Sequence, residues 1–149
     1  MFEVNPGSSQ KTMNETNQHL EGPLVSVVDD DLSVRRSTRR LLRTAGLRVE
    51  TFASAEEFLM SGRAEESACI VLDFRMPGMN GLELQRHLAE HSVPVPIVFI
   101  TAHASEDEQR QALQAGAVKF LHKPVNKEVL LLAIRSALEN PPIEEGEIK

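Results

Sequence analysis

Short strand-like segments alternate with amphipathic segments along the middle of the chain. Four of the strand-like segments are apolar and the fifth alternates like a half-buried strand. They are LVSVV (24–28), RVETF (48–52), CIVL (69–72), PIVFI (96–100) and VKFL (118–121). Each is followed by a segment with helical periodicity, and strict alternation of this kind predicts an α/β domain with a parallel sheet and helices on both faces.

Polar residues predict where several of the helices begin and end. The first predicted helix, 33–45, places its apolar residues on one stripe and stops before Gly46. Ser54, Ser105 and Asn126 each precede a helical pattern and are residues that cap helix N-termini. We therefore expect five helices in addition to the five strands.

Both ends of the chain differ in composition from its middle. Residues 1–22 are polar, rich in Asn, Ser, Thr and Gln, and without periodicity, which predicts a flexible N-terminal arm. A double proline follows Asn140 and acidic residues come after it, which predicts a C-terminal tail over 140–149. The predicted folded domain is then 23–139.

Charge and hydrophobicity exclude several classes of protein. The 149 residues have a formal charge of −6, whereas sequence-independent binding of nucleic acid depends on an excess of Lys and Arg. No apolar stretch approaches the roughly 20 residues that span a bilayer, and no signal peptide is visible. We expect a cytoplasmic protein without direct nucleic-acid or membrane binding. Its single cysteine, Cys69, lies in an apolar run and is expected to be a buried strand thiol.

Chemically useful residues stand where the apolar segments stop. Three aspartates, 29–31, follow the first segment, Asp73 follows the third and Thr101 the fourth, and Lys123 follows the run AVKFLH (117–122) that contains the fifth. Ligands of parallel α/β sheets bind at the carboxyl ends of the strands, so these residues are expected to meet in one pocket. Carboxylates, a hydroxyl and an ammonium suit a divalent cation and a phosphoryl group, with Asp73 as the acceptor.

Each of these residues also has an ordinary structural explanation. Adjacent aspartates favour turns and helix N-caps, and only one or two of residues 29–31 can face a bound ion. Thr101 can be a strand-end hydroxyl that caps the backbone, and Lys123 can be a surface lysine. The clustering of carboxylates is the argument for a cation, because unpaired carboxylates repel one another.

Four motifs extend this pattern to a known family. VVDDD (27–31), VLDFRMPGMNG (71–81), ITA (100–102) and AGAVKFLHKP (115–124) occur in the order and spacing of the receiver domain of two-component response regulators. The chain resembles that domain over roughly 23–139, and the sequences of its RMPGMNG and AGAVKFLHKP motifs are most similar to those of the FixJ-type branch. The resemblance implies a flavodoxin-like (βα)5 fold, a doubly wound five-stranded parallel sheet with strand order 2-1-3-4-5.

The resemblance also implies how the acidic residues are used. Asp73 matches the phosphoacceptor, and Asp29 and Asp30 match the acidic pair of the family, with Asp30 as the direct Mg²⁺ ligand. Arg75 matches the position whose backbone carbonyl is a further metal ligand. The implied cofactor is Mg²⁺, held by Asp29, Asp30, Asp73 and the Arg75 carbonyl.

Other motif positions match the part of the family site that senses the phosphoryl group. Thr101 and Lys123 match the phosphoryl-binding hydroxyl and lysine. Phe120 matches a switch aromatic that is often Tyr, and because Phe cannot hydrogen-bond, a switch here would depend on packing alone. Arg75 and His103 flank the pocket and are expected to affect the lifetime of the acyl phosphate, with a sign that the sequence does not give.

The implied function is that of a phosphoacceptor in signalling. A sensor histidine kinase or histidine phosphotransfer protein is the implied partner, and the domain would signal by a conformational switch, with no enzymatic turnover beyond self-phosphotransfer and autodephosphorylation. Three alternatives stay open. They are a phosphohydrolase with Asp29 as nucleophile, a receiver-like module that is never phosphorylated, and the N-terminal piece of a FixJ-type transcriptional regulator, since no DNA-binding output domain resembles any part of this chain.

Two surfaces are candidates for partner binding. The first helix carries five arginines, which form either a solvated face or a docking surface for a kinase; they are Arg35, Arg36, Arg39, Arg40 and Arg43. The last helix carries more apolar residues than one buried stripe requires. The resemblance implies that the last two helices mediate a phosphorylation-linked homodimer or bind a protein effector.

Overall fold

Five parallel strands form one sheet in the order β2-β1-β3-β4-β5. The computed structural model describes residues 22–139, so the predicted arm and acidic tail lie outside the described residues apart from Gly22. The strands are β1 (Leu24–Val28), β2 (Arg48–Phe52), β3 (Ser67–Asp73), β4 (Ile97–Thr101) and β5 (Lys119–His122). The predicted parallel sheet and its strand order are confirmed.

Helices cover both faces of the sheet. They are α1 (Leu32–Thr44), α2 (Ala55–Ser61), α3 (Gly81–Glu90), α4 (Glu106–Gln114) and α5 (Lys127–Glu139). Leu42 of α1 and Ile134 of α5 share one apolar cluster with the sheet. Phe58 of α2, Leu84 of α3 and Ala112 of α4 share the other. Because the strands are parallel, each of α1 to α4 returns the chain from the edge at which one strand ends to the edge at which the next strand begins.

The predicted N-caps hold three of the five helix starts in place. The Ser54 hydroxyl accepts from the Glu57 backbone N–H at 3.0 Å, and the Ser105 hydroxyl accepts from Glu108 N–H at 3.1 Å. The Asn126 side chain accepts from the N–H groups at the start of α5. These caps satisfy backbone donors that a helix end leaves without partners.

Strand β3 begins two residues earlier than its apolar run predicts. Ser67 opens the strand, and its buried hydroxyl lies 2.7 Å from the hydroxyl of Ser26 on β1. The Ser67 hydroxyl donates to the Arg63 carbonyl at 2.8 Å, which leaves it to accept from the Ser26 hydroxyl, so two polar side chains are buried in the sheet at little cost. Hydrophobic patterning alone does not reveal such a pair.

Cys69 lies in the middle of β3 and is fully buried, as expected of a strand thiol. Burial raises the pKa of this thiol to about 12. Among residues 22–139, no helix combines the length and the apolar character that crossing a bilayer requires.

Candidate functional site

The residues at the carboxyl ends of four strands lie together, as the sequence predicts. Asp29 follows β1, Asp73 and Thr101 end β3 and β4, and Lys123 follows β5. The Lys123 Nζ is 2.9 Å from Asp29 Oδ2 and 3.5 Å from Asp73 Oδ2. Asp29, Asp73 and Thr101 are buried, and the ammonium of Lys123 is partly exposed. A lysine that bridges two buried carboxylates is not an ordinary surface lysine.

The three consecutive aspartates have different roles. Asp31 caps α1, since its carboxylate accepts from Ser33 N–H at 2.8 Å. Asp29 is buried, and its Oδ1 accepts from the Asp31 N–H at 2.8 Å. Asp30 is exposed, and one carboxylate oxygen from each of Asp29, Asp30 and Asp73 lies within 4.8 Å of the others. The cap explanation therefore holds for one residue and the clustered-carboxylate explanation for the other two.

The donor set of this cluster suits a small hard cation. Mg²⁺ takes oxygen ligands and usually keeps several waters, so two or three carboxylates are enough. Two of the three carboxylates are already buried, and within residues 22–139 Lys123 is the one cationic side chain that pairs with them. The residues present therefore fit Mg²⁺. Arg75 contacts this cluster through its backbone N–H, which donates to Asp73 Oδ1 at 3.2 Å.

Burial and neighbouring charge determine how Asp73 titrates. Burial, with the Asp29 carboxylate as the next contribution, raises the pKa of Asp73 to about 7, although Lys123 acts in the opposite direction. For Lys123, burial would lower the pKa, but Asp29 and Asp73 outweigh it and raise the pKa above its ordinary value. The ammonium thus stays charged and partly neutralises the two acids.

The Thr101 hydroxyl is occupied by the backbone of the following connection. It donates to the His103 carbonyl at 2.9 Å and accepts from the His103 N–H at 3.1 Å. Phe120 is buried, and its ring centroid lies 5.3 Å from that of Phe74 and 5.6 Å from that of Phe99. The ring at the predicted switch position therefore points inward, into an aromatic cluster next to the strand end of Asp73.

Several contacts that shape the site are not predicted by the sequence patterns. A Cβ at Gly81 would lie 2.7 Å from the Asp73 carbonyl oxygen, so only glycine lets α3 start so close to β3. Arg35 Nη1 donates to the Asp29 carbonyl at 2.8 Å. Glu108 reaches Arg75 from α4. The Asn-Gly pair at the start of α3 and the Ser105-x-x-Glu spacing are visible in the sequence, but both predict where a helix begins and neither predicts these contacts.

The sequence profile of the response regulator receiver domain matches residues 25–135. The chain belongs to the response regulator receiver domain family. Nodulation protein W of Bradyrhizobium diazoefficiens is 44% identical over 116 residues, which are 78% of this chain and 51% of that protein. The predicted resemblance to the receiver domain of response regulators is therefore confirmed.

Solved structures of the family agree with the fold. Response regulator StyR is 52% identical with a TM-score of 0.74, over 79% of this chain and 60% of that one. FixJ-N is 35% identical with a TM-score of 0.73, over 83% of this chain and 99% of that one. The predicted likeness to the FixJ-type branch is confirmed. The receiver domain spans about half the length of the curated relatives that it matches. Receiver domains are signalling domains and not classical enzymes, which argues against the phosphohydrolase alternative.

Proposed function

We propose that this receiver domain accepts a phosphoryl group on Asp73 from a phosphohistidine. The donor would be a sensor histidine kinase or a histidine phosphotransfer protein, which also implies a cytoplasmic location. The observation that carries the proposal is the buried Asp73 carboxylate at the end of β3, next to two further carboxylates and an ammonium. A carboxylate in this setting is a nucleophile with one counter-charge, the Lys123 ammonium, already in place.

The transfer needs little from the protein beyond position and charge. A carboxylate oxygen of Asp73 attacks phosphorus, the P–N bond to the donor histidine breaks, and its electron pair stays on the imidazole nitrogen. Lys123, 3.5 Å from Asp73, is placed to bind an oxygen of the transferred group. Thr101 would donate to another, for which its hydroxyl must leave the His103 carbonyl.

Mg²⁺ is the cofactor that fits the acidic cluster. Asp29, Asp30, Asp73 and the backbone carbonyl of Arg75 would hold it, and when bound it neutralises charge on the phosphoryl oxygens. Asp30 is the exposed member of the cluster, so it is the residue through which an ion can enter from solvent.

A surface at the last two helices is the proposed output. Leu113 on α4 and Val129 and Leu132 on α5 are large apolar side chains that are 41%, 45% and 68% exposed. Thr101 ends the strand that precedes α4 and Phe120 lies in the strand that precedes α5, so phosphorylation would bias this surface toward a homodimer or a protein effector. Sedimentation with and without beryllofluoride and Mg²⁺ tests the dimer, and a monomer under both conditions would leave the effector as the output.

The relatives are longer than the part that matches this receiver domain. The match to nodulation protein W covers 51% of that protein, and the match to StyR covers 60% of that chain. This supports, as a second proposal, a receiver that regulates an attached output domain in a longer FixJ-type regulator. No contact of the described residues with nucleic acid is needed in either case.

The acceptor is tested by substituting one aspartate at a time. We expect Asp73→Asn to abolish the uptake of phosphoryl groups from acetyl phosphate and Mg²⁺, because the amide is not a nucleophile of this kind. Asp31→Asn is the matched control, since Asn also caps helices and the phosphoryl pocket keeps its carboxylates. Intact-mass spectrometry reports the added group. Equal labelling of Asp73→Asn and the parent chain would contradict the proposal.

A further inference from the structure

The main-chain carbonyl of His103 accepts two hydrogen bonds. Thr101 Oγ1 donates to it at 2.9 Å and Arg75 Nε donates at 3.2 Å. A carbonyl oxygen has two lone pairs, so both bonds form together. The two donors come from different strand ends, because Thr101 ends β4 and Arg75 follows β3. The carbonyl thus joins the two connections that flank Asp73.

The side chain of Arg75 is fixed by other contacts. Its Nη2 lies 2.5 Å from Glu108 Oε1, and its guanidinium carbon is 5.5 Å from the centre of the Phe74 ring. The same Glu108 oxygen accepts the Ser105 N–H at 3.0 Å in the capping box of α4. The capping box therefore fixes the Glu108 side chain, and Glu108 in turn fixes the Arg75 guanidinium within hydrogen-bond distance of the His103 carbonyl oxygen.

Phosphorylation would require one of these two bonds to break. If Asp73 is the acceptor, as proposed above, Thr101 must turn its hydroxyl from the His103 carbonyl to a phosphoryl oxygen. The Thr101 bond to this carbonyl is part-buried and the Arg75 bond is exposed, so the loss of a partner costs about 0.5–1.5 kcal/mol, the net value of one hydrogen bond, and not the larger cost of a fully buried unpaired group. With Arg75 in place, the His103 carbonyl keeps a donor after Thr101 has left.

We propose that Arg75 and Glu108 are positioning residues that keep the His103 carbonyl hydrogen-bonded while the Thr101 hydroxyl moves to the phosphoryl group. They act through Thr101 and stabilise the phosphorylated arrangement. A purely electrostatic role predicts something different for Glu108. Loss of its negative charge would then strengthen the binding of an anion at Asp73, whereas loss of its positioning role weakens that binding.

The experiment measures the affinity of the protein for beryllofluoride in the presence of Mg²⁺ by titration calorimetry. Glu108→Gln preserves the capping box but replaces the charge-assisted hydrogen bond to Arg75 by a weaker one to a neutral amide oxygen. Arg75→Lys preserves the charge but has no fork of donors for Glu108 and His103 together. We expect each variant to bind about 3- to 10-fold more weakly than the parent chain, which is the value of one hydrogen bond.

Two comparisons separate positioning from charge and from general damage. Asp107→Asn removes a negative charge one residue away, from a side chain that pairs with Arg110 and not with Arg75, and is expected to bind as the parent does or more tightly. In a Thr101→Ala background the effects of Glu108→Gln and Arg75→Lys are expected to vanish, because no hydroxyl has to leave the carbonyl.

The outcomes distinguish this inference from the proposed function. If the parent chain fails to bind beryllofluoride with Mg²⁺, the proposed function is wrong and this inference falls with it. If the parent binds but Glu108→Gln and Arg75→Lys bind equally well or more tightly, the positioning role alone is wrong. A loss that persists unchanged in the Thr101→Ala background also overturns it, since the coupling to Thr101 would be absent.

Discussion

At the scale of single residues, the neighbours of Asp73 decide its chemistry. The same carboxyl group at the surface would be ionised well below neutral pH. Here burial and Asp29 raise its pKa to about 7, and the ammonium of Lys123 limits the effect. The acceptor is thus held near the point at which a small change in charge, such as a bound cation, decides whether it is a nucleophile.

The raised pKa of Asp73 makes stability depend on pH. The pKa of Asp73 is about 7 in the folded state, whereas it is about 3.9 in the unfolded chain. The stability that this proton contributes is fully present below the unfolded pKa and is lost as the pH rises through the folded pKa. We expect the free energy of unfolding of the parent to decrease relative to that of Asp73→Asn between about pH 4 and about pH 7 in the absence of Mg²⁺. Urea denaturation followed by circular dichroism measures this difference, and parallel pH curves for the two chains would contradict it.

Gly81 is expected to tolerate no side chain. In Gly81→Ala the new methyl group would meet the Asp73 carbonyl at 2.7 Å and the ring of Phe99 at 2.9 Å, so β3 and α3 must separate. We expect a loss of about 1–3 kcal/mol in the free energy of unfolding, as for other overpacked sites. Gly22→Ala is the control, because nothing lies within 4 Å of its Cβ. If Gly81→Ala and Gly22→Ala have equal free energies of unfolding, the start of α3 accommodates a methyl group and the prediction is wrong.

Sequence reasoning reached the residues at the strand ends but not their partners. Asp73, Thr101 and Lys123 could be predicted because each directly follows or ends a recognisable strand. The contact between Arg75 and Glu108 joins residues 33 positions apart in the chain, and it depends on where a surface helix happens to start relative to a loop. Hydrophobic periodicity carries no information on such a contact.

At the scale of elements, α1 shows how one helix divides its sequence between cap, core and surface. Asp31 caps it, and Thr38 and Leu42 face the sheet. Four arginines lie on the outer face and line one shallow surface depression; they are Arg36, Arg39, Arg40 and Arg43. Within residues 22–139 these four make no ion pair. Like charges three and four residues apart repel one another along a helix.

Removing one of these charges is therefore expected to stabilise the domain. Arg40→Gln relieves repulsion with Arg36 and Arg43, and we expect a gain of up to about 0.5 kcal/mol in unfolding free energy at low salt. The gain should disappear at about 1 M salt, where the Debye length is about 3 Å. Arg110→Gln is the control of opposite sign, because Arg110 loses its partner Asp107. Thermal denaturation of both variants at the two salt concentrations measures the difference, and a loss of stability in Arg40→Gln would contradict the repulsion.

At the scale of the whole molecule, the alternation of strands and helices was sufficient to predict a parallel sheet, and the motifs were sufficient to predict its order. Hydrophobic patterning does not predict the first residue of a strand where polar residues take part in the sheet, as at Ser67 of β3. The inward position of Phe120 was also beyond the sequence, because a strand residue on an edge strand can face either side until the neighbouring rings are known.

Mg²⁺ is expected to stabilise the whole domain, since the unfolded chain has no preformed cluster of carboxylates. The increase in unfolding free energy should reach about 2.7 kcal/mol at an ion concentration one hundred times the dissociation constant. Asp30→Asn removes one ligand of the proposed site without creating an unpaired buried group, because Asp30 is exposed, and should reduce the increase. Calorimetric melting with and without Mg²⁺ provides the measurement. Equal melting temperatures at every Mg²⁺ concentration would leave the cluster without a role in binding the ion.

The burial of Cys69 has a practical consequence for all of these measurements. Thiol reagents attack the thiolate, and this thiol is enclosed in β3 with a pKa of about 12. It is the single cysteine of the chain. A cysteine introduced at the exposed Leu132 position would then be the one group that a maleimide dye reaches in the folded protein. A single fluorescent label can therefore be attached to the proposed output surface without first replacing Cys69.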